Sequence, residues 1–217
     1  MISLGTISEE KKLDVLCLGA HCDDIEIGCG GTLLKWIDGN RVRKVVWVVF
    51  SSDNKRADEA KKSADKYLEK IADREIIIFD FKDAFLNFYA GQVKECFESL
   101  KQKIEPGLIF SHYRQDRHQD HRLLSDLTYN TFRNHLILEY EIPKYDGDLG
   151  NPNTYIEISR ENVLRKASLL LECFPSQKGK HWFDEETFSA LMRIRGLECN
   201  SGSRYAEAFF MRKCLIK

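Results

Sequence analysis

Apolar residues along this chain fall into two alternating patterns, short continuous runs and longer stretches spaced three or four apart. Leu13 to Gly19 is an apolar run, broken only by Asp14 and bounded by charge and by glycine, as expected of a strand covered on both faces. Ile27 to Asp38 then reads as a helix, with Ile27, Leu33, Leu34 and Ile37 as its stripe and Gly39-Asn40 as its stop. Lys44 to Phe50 predicts a second strand, Arg56 to Ile71 a helix, Glu75 to Phe79 a strand and Gln92 to Ile104 a helix. Gly107 to Phe110 predicts a fourth strand, followed by a helix over Asp120 to Phe132. In the last third, Ile137 to Ile142 and Tyr155 to Ile158 read as extended, Asn162 to Cys173 and Glu185 to Gly196 as helical, and Tyr205 to Met211 as a closing strand. Tyr145 to Asn153 and Pro175 to Trp182 are rich in loop residues. This alternation predicts an α/β fold with a mostly parallel central sheet and helices on both faces. Ligands of such sheets bind beyond the carboxyl ends of the strands, where strand order reverses.

Composition narrows the function. With 217 residues, 43% of them hydrophobic, and no break in composition, one domain spanning 1–217 is expected. The formal net charge of -1 leaves no basic field for nucleic acid or an anionic membrane, so a small polar substrate is favoured. No apolar stretch approaches the ~20 residues of a membrane span, and the first residues lack a secretory pattern, so no stable membrane insertion is expected. Seven cysteines, an odd number with several inside apolar runs, read as small buried hydrophobes of a reducing, cytoplasmic protein. Oligomeric state is left open.

Two blocks carry chemistry instead of packing. Ala20-His21-Cys22-Asp23-Asp24-Ile25-Glu26-Ile27-Gly28 leaves the first strand, and Asp116-Arg117-His118-Gln119-Asp120-His121 leaves the fourth. Together they hold three imidazoles and four aspartates, the ligand types of borderline-soft divalent metals. On a tight turn His21 and Asp24 can converge on one point while Asp23 is directed elsewhere. His118 and His121, three apart, share one side of a helical turn, so His121 completes a three-ligand site with a position open to water. In this reading Asp23 is the general base, His118 stabilises an oxyanion, and Asp120 orients His118. Zinc is the expected ion, and iron(II) suits a His-Asp-His set nearly as well.

Plainer readings exist for each block. Asp23-Asp24 before a helix can serve only as a cap, and a lone His-x-x-His is more often a solvated pair. Gly28-Cys29-Gly30-Gly31, with Asp53 ending the second strand, imitates a dinucleotide fingerprint. The third glycine would have to be residue 33, which is leucine, and two aspartates would repel a pyrophosphate. Gly30 and Gly31 more simply let the helix pack closely on the sheet. Nothing about folding requires so many ionisable groups at the rim of a buried sheet, so the metal reading leads.

These residues make the chain resemble the PIG-L/LmbE-like zinc-dependent N-deacetylases, whose signature Ala-His-Pro-Asp-Asp-x-Glu-x-Gly-x-Gly-Gly is answered by a distal His-x-Asp-His. Arg56-x-x-Glu59-Ala60 and Tyr205-Ala206-Glu207-Ala208-Phe209 also resemble family elements. Ser176-Gln177 and Arg195-Gly196 resemble members associated with surface-polysaccharide or modified-sugar assembly. The resemblance implies hydrolysis of an acetamide on an amino sugar or sugar conjugate, giving acetate and a free amine. By position His21, Asp24 and His121 match the metal ligands, Asp23 the base, and His118 the group polarising the tetrahedral intermediate. The fold expected is a Rossmann-like three-layer sandwich with the metal site at the carboxyl ends of the strands. The alternatives are an amidase of sugar-thiol conjugates with the same machinery and a non-catalytic nucleotide- or sugar-binding module.

Cys22 stands where the family usually has proline and is expected to be a spacer, not a ligand. Arg56 is expected to bind a substrate hydroxyl or phosphate, with an ion pair to Glu59 as its plain alternative. Asp116, flanked by His112 and Arg117, is expected on the pocket wall. His181, in the aromatic loop before Trp182 and Phe183, is expected to close over a sugar.

Overall fold

A computed structural model of the chain describes residues 12–214. Seven strands form one sheet in the order β3-β2-β1-β4-β5-β7-β6. β1 (Leu13–Gly19), β2 (Val42–Ser51), β3 (Asp73–Phe81), β4 (Leu108–His112) and β5 (Ile137–Tyr140) pair in parallel. β7 (Ala206–Phe210) runs against both β5 and β6 (Thr154–Glu157). The expected mostly parallel α/β sheet is therefore present, closed on one side by an antiparallel pair.

The central strands are apolar from Val15 onward and from Val45 to Phe50 because both of their faces are covered there. Val15 and Cys17 of β1 enter one core, while Leu16 and Leu18 enter the other. Likewise Val45, Trp47 and Val49 of β2 face away from Val46, Val48 and Phe50, and all six are fully buried. The first core takes α1 (Asp24–Asp38), α2 (Asn54–Tyr67), α5 (Arg160–Cys173) and Phe188 of α6 (Glu185–Glu198). The second takes α3 (Ala90–Lys103) and α4 (Gln119–Thr131), giving three layers. Among the described residues no helix is long and apolar enough to cross a membrane.

Element ends differ from the sequence expectation at several helix starts and at the end of α2, which stops at Tyr67 instead of Ile71. α1 begins at Asp24 instead of Ile27, with Asp24 and Glu26 in a first turn whose dipole favours carboxylates. α2 begins at Asn54 because Asp53 caps it, accepting from the Arg56 amide at 2.8 Å. That capping role accounts for the acid that imitated a ribose ligand. β4 continues to His112, and a short 3-10 turn, Leu86–Tyr89, precedes α3.

α1 is bound tightly to the rest of the fold. A Cβ on Gly28 would lie 2.2 Å from the Tyr140 ring, so glycine is what lets the helix approach β5. Three residues on, the amides of Gly31 and Thr32 donate to the Glu207 carboxylate of β7 at 2.8 and 2.7 Å. Lys166 of α5 donates to the Ile27 carbonyl at 2.6 Å and to Glu207 at 2.7 Å. Ile27 and Gly31 are four apart, so this buried ion pair joins the helix ladder at one rung and ties α1 to the last strand.

Removing one partner of a buried pair leaves the other charge uncompensated, a loss of about 3–5 kcal/mol. Glu207→Ala is expected to lose that much in denaturant unfolding relative to wild type. A change within about 0.5 kcal/mol would show that the pair does not hold the helix.

Candidate active site

Strand order reverses at β1 and β4: β2 and β3 extend to one side, β5 to the other. β1 and β4 are paired neighbours, with Cys17 beside Phe110, so the turns leaving their carboxyl ends face each other. His21, Cys22 and Asp23 form the turn from β1 into α1, and His118 caps α4 after β4. Residues a hundred positions apart thereby line one cavity of about 730 Å³, with His21, Asp23, Asp24, His118, His121 and Arg56 on its wall.

Three donor atoms form a near-equilateral triangle. His21 Nδ1 lies 3.2 Å from Asp24 Oδ2 and 3.1 Å from His121 Nε2, and His121 Nε2 lies 3.5 Å from Asp24 Oδ2. Ligands of a tetrahedral zinc ion at about 2.0–2.2 Å stand about 3.3–3.6 Å apart, close to the sides of this triangle, so these three atoms would suit a three-ligand site.

Neighbouring groups set which nitrogen of each ring is free. His121 Nδ1 meets Asp116 Oδ2 at 2.9 Å, which places its proton there and leaves the Nε2 lone pair for the triangle. His21 Nε2 lies 3.0 Å from Asp83 Oδ1, so its Nδ1 is the inward-facing atom. His118 Nδ1 accepts from the Asp120 amide at 3.3 Å, so the neutral ring carries its proton on Nε2 and is a donor. His112, fully buried at the end of β4, also lies 3.2 Å from Asp24 Oδ2. Its Nε2 accepts from the Ala20 amide at 2.9 Å, and because an amide can only donate, that lone pair is already engaged.

Asp23 does not cap α1: its side chain makes no capping bond and instead accepts from Arg56 Nη2 at 2.9 Å. Burial raises the Asp23 pKa, more than the Arg56 charge lowers it. Asp24 lies well below the ordinary carboxylate range, since His121, His112 and His21 together outweigh its burial. Burial brings His121 down to about 3, the neutral form a ligand needs, and burial with the His21 charge lowers His118. Burial also lowers His21, but Asp24 and the contacts with Asp120 and Asp83 outweigh it and hold the ring well above its usual value. Without a cation the acidic pocket therefore draws a proton onto His21, and a bound ion would displace it.

Four sequence expectations need correction in place or partner. The Asp120 carboxylate does not face His118: Oδ1 accepts from the Leu86 amide at 3.1 Å and Oδ2 lies 3.6 Å from His21 Nε2. Asp116 is buried and off the cavity wall, accepting from the His118 amide at 2.8 Å and from Lys144 at 2.7 Å besides its bond to His121. His181 is exposed and packs edge-on to Tyr145, while its neighbours Lys180 and Trp182 line the cavity. Arg56 does line the cavity, but its main partner is Asp23; Glu59 is 4.0 Å away and accepts instead from the Ser176 amide and hydroxyl. Cys22 is buried with its thiol toward the Ser51 carbonyl at 3.5 Å, and burial pushes it up to about 12, so the group is an uncharged thiol. Asp83, Lys82 and Lys144 on the cavity wall carry no signal in the sequence, since each looks like an ordinary surface charge there.

Comparison with known proteins identifies the lineage. Residues 16–132 match the family model PIG-L, described as GlcNAc-PI de-N-acetylase. The chain belongs to this family. A curated relative, the uncharacterized deacetylase YaiS of Escherichia coli K12, is 25% identical over 120 residues, which span 52% of this chain and 65% of that protein. Among solved structures, the conserved protein TT1542 of Thermus thermophilus aligns over 94% of this chain and 97% of its own, with a TM-score of 0.75 and 21% identity. The N,N'-diacetylchitobiose deacetylase of Pyrococcus horikoshii aligns over 91% and 83%, with a TM-score of 0.65 and 20% identity. GalB of Pseudomonas putida KT2440, a 4-carboxy-2-hydroxymuconate hydratase, aligns over 94% and 98% at a TM-score of 0.70 and 15% identity. These likenesses establish the shared fold, which by itself hosts more than one reaction.

Behind the site, Glu26 is fully buried with neither carboxylate oxygen hydrogen-bonded, and burial pushes it up to about 8, with Asp23 and Asp24 adding in the same direction. In the metal-free protein the folded state keeps that proton up to about pH 8, whereas the unfolded chain releases it near about 4.3. Folding stability therefore falls as pH rises through that interval, because the folded state binds more protons there. Denaturant unfolding of the metal-free protein across the interval is expected to show this fall in wild type and a flatter profile in Glu26→Gln; equal slopes would contradict it.

Proposed function

We propose that this protein is a metal-dependent hydrolase that removes the acetyl group from an N-acetylated amino sugar or sugar conjugate, releasing acetate and a free amine. The observation that carries the reading is the triangle of His21 Nδ1, Asp24 Oδ2 and His121 Nε2, with sides of 3.1, 3.2 and 3.5 Å. Membership of a de-N-acetylase family and the likeness to a deacetylase of an N-acetylated sugar support the same chemistry.

His21, Asp24 and His121 would hold the ion, zinc first and iron(II) nearly as well. Such an ion supplies Lewis acidity and brings the pKa of water from ~16 toward ~7. Asp23, on the same wall, accepts the proton of the attacking water and passes it to the departing amine. Its contact with Arg56 Nη2 at 2.9 Å fixes the carboxylate's direction, leaving the other oxygen for the proton. His118 presents Nε2–H to the oxyanion of the tetrahedral intermediate and does so as a neutral ring, because the Asp120 amide occupies Nδ1. Asp116 holds His121 in the ligand tautomer.

The cavity suits a polar ring carrying a further group. Its volume of about 730 Å³ falls in the usual range of ligand sites, about 300–1,000 Å³. Lys82, Lys144, Asp83, Asp146 and Trp182 surround its outer part, offering hydrogen bonds to hydroxyls and an aromatic face to a sugar.

Asp23→Asn is expected to retain the tightly bound ion and lose about 10²–10⁴ in turnover, and His121→Ala to lose both that ion and turnover. Elemental analysis paired with acetate release from N-acetylhexosamines and their conjugates checks this. Undiminished acetate release by Asp23→Asn would remove Asp23 from its role, and a full complement of metal in His121→Ala would remove the triangle.

A further inference from the structure

We propose a second, weaker divalent-cation site on the opposite nitrogen of His21, formed by His21 Nε2, Asp83 and Asp120. The inference rests on the reading of His21 Nδ1 as a ligand in the first site. His21 Nε2 lies 3.0 Å from Asp83 Oδ1 and 3.6 Å from Asp120 Oδ2, and one donor atom of each residue lies within 4.8 Å of the other two. A nitrogen and two carboxylate oxygens from three separate segments form a donor set for zinc or manganese.

An independent observation separates this group from a chance cluster of acids. Asp120 is fully buried, and its Oδ2 has no hydrogen-bond partner, nor has His21 Nε2. The short approach of Asp83 to the ring is an ion-pair distance without hydrogen-bond alignment. A buried carboxylate oxygen left unpaired is costly, and a cation between the three groups would satisfy it.

The backbone holds Asp83 where the site needs it. The next residue, Ala84, has φ +65, a left-handed conformation that is uncommon for a residue with a side chain. Its carbonyl accepts from Gln119 Nε2 at 3.1 Å, and the Leu86 amide donates to Asp120 Oδ1 at 3.1 Å. These two bonds clamp the segment after β3 onto the start of α4, where Asp120 and His121 lie. Asp83 itself is 77% exposed at its side chain and lines the cavity, so ions reach the site from solvent.

With an ion on each nitrogen the imidazole has no N–H, and its proton passes to solvent when the second ion binds. Breaking that bond makes the second ion the weaker one. The bridging ring then holds two cations on opposite edges, so excess metal would load the cavity wall beside the catalytic groups.

Equilibrium dialysis of the whole protein against rising free zinc, with elemental analysis of the bound ion, tests this without recourse to activity. Two ions per chain are expected in wild type. Asp83→Asn, at an exposed position where folding is not in question, is expected to keep the tight ion and weaken the second about tenfold or more through loss of a charged ligand. His121→Ala is expected to lose the tight ion and keep the weak one. One ion in wild type at every zinc concentration, or a second ion unaffected by Asp83→Asn, would overturn the second site and leave Asp83 and Asp120 as groups that only orient His21. No bound ion in wild type would overturn the first site as well.

Discussion

The parallel pairing of β1 with β4 is the constraint on which the site depends. Neither turn alone holds more than part of the donor set: one brings His21 and Asp24, the other His121 and His118. Because α1 and α4 lie on opposite faces of the sheet, only adjacent strands with reversed order can bring their N-terminal turns together. The register that sets Cys17 beside Phe110 then closes the donor atoms to within about 3.5 Å of one another.

The surrounding polar groups explain how so much charge survives at the rim of a dry sheet. Most of the inward groups are held from behind or beside: Asp116 bonds His121, the Asp120 amide bonds His118 and Arg56 bonds Asp23, while Asp83 and Asp120 stand at 3.0 and 3.6 Å from His21 Nε2. Such pairing fixes tautomers and directions before a ligand arrives, which is what pre-organised catalysis requires. At a distance, Lys166 and Glu207 anchor the helix that starts at Asp24 to the final strand, and Arg195 similarly bridges Glu141 and Glu198. The C-terminal third thus supports the site through α1 as well as enclosing it.

Much of this is legible in the sequence because it depends on period and position. The run Leu13–Gly19 has the bounds of the strand itself, since a doubly covered strand is apolar along nearly its whole length, here with Asp14 near the edge as its one charged residue. His21, Asp24 and His121 can be grouped from sequence because strand ends in an α/β sheet share an edge. Directions of side chains at helix starts are not legible. Asp120 follows His118 by two residues, yet the first turn of α4 points its carboxylate at His21, and the amide, not the acid, meets His118. Asp116, five residues before His121, reaches it across the capping loop, a contact no helical spacing encodes. Asp83 gives no signal at all, because only the fold brings the end of β3 over the β1 turn. The aromatic neighbours of His181 suggest a place in the site, but the loop turns Trp182 and Lys180 inward and leaves the imidazole against Tyr145.

Anomalous diffraction at the zinc edge from crystals of the loaded protein addresses the coordination directly. The expected result is a principal peak about 2.0–2.2 Å from His21 Nδ1, Asp24 Oδ2 and His121 Nε2. A principal peak bounded instead by Asp24, His112 and His121, or the absence of any peak between the β1 and β4 turns, would contradict it.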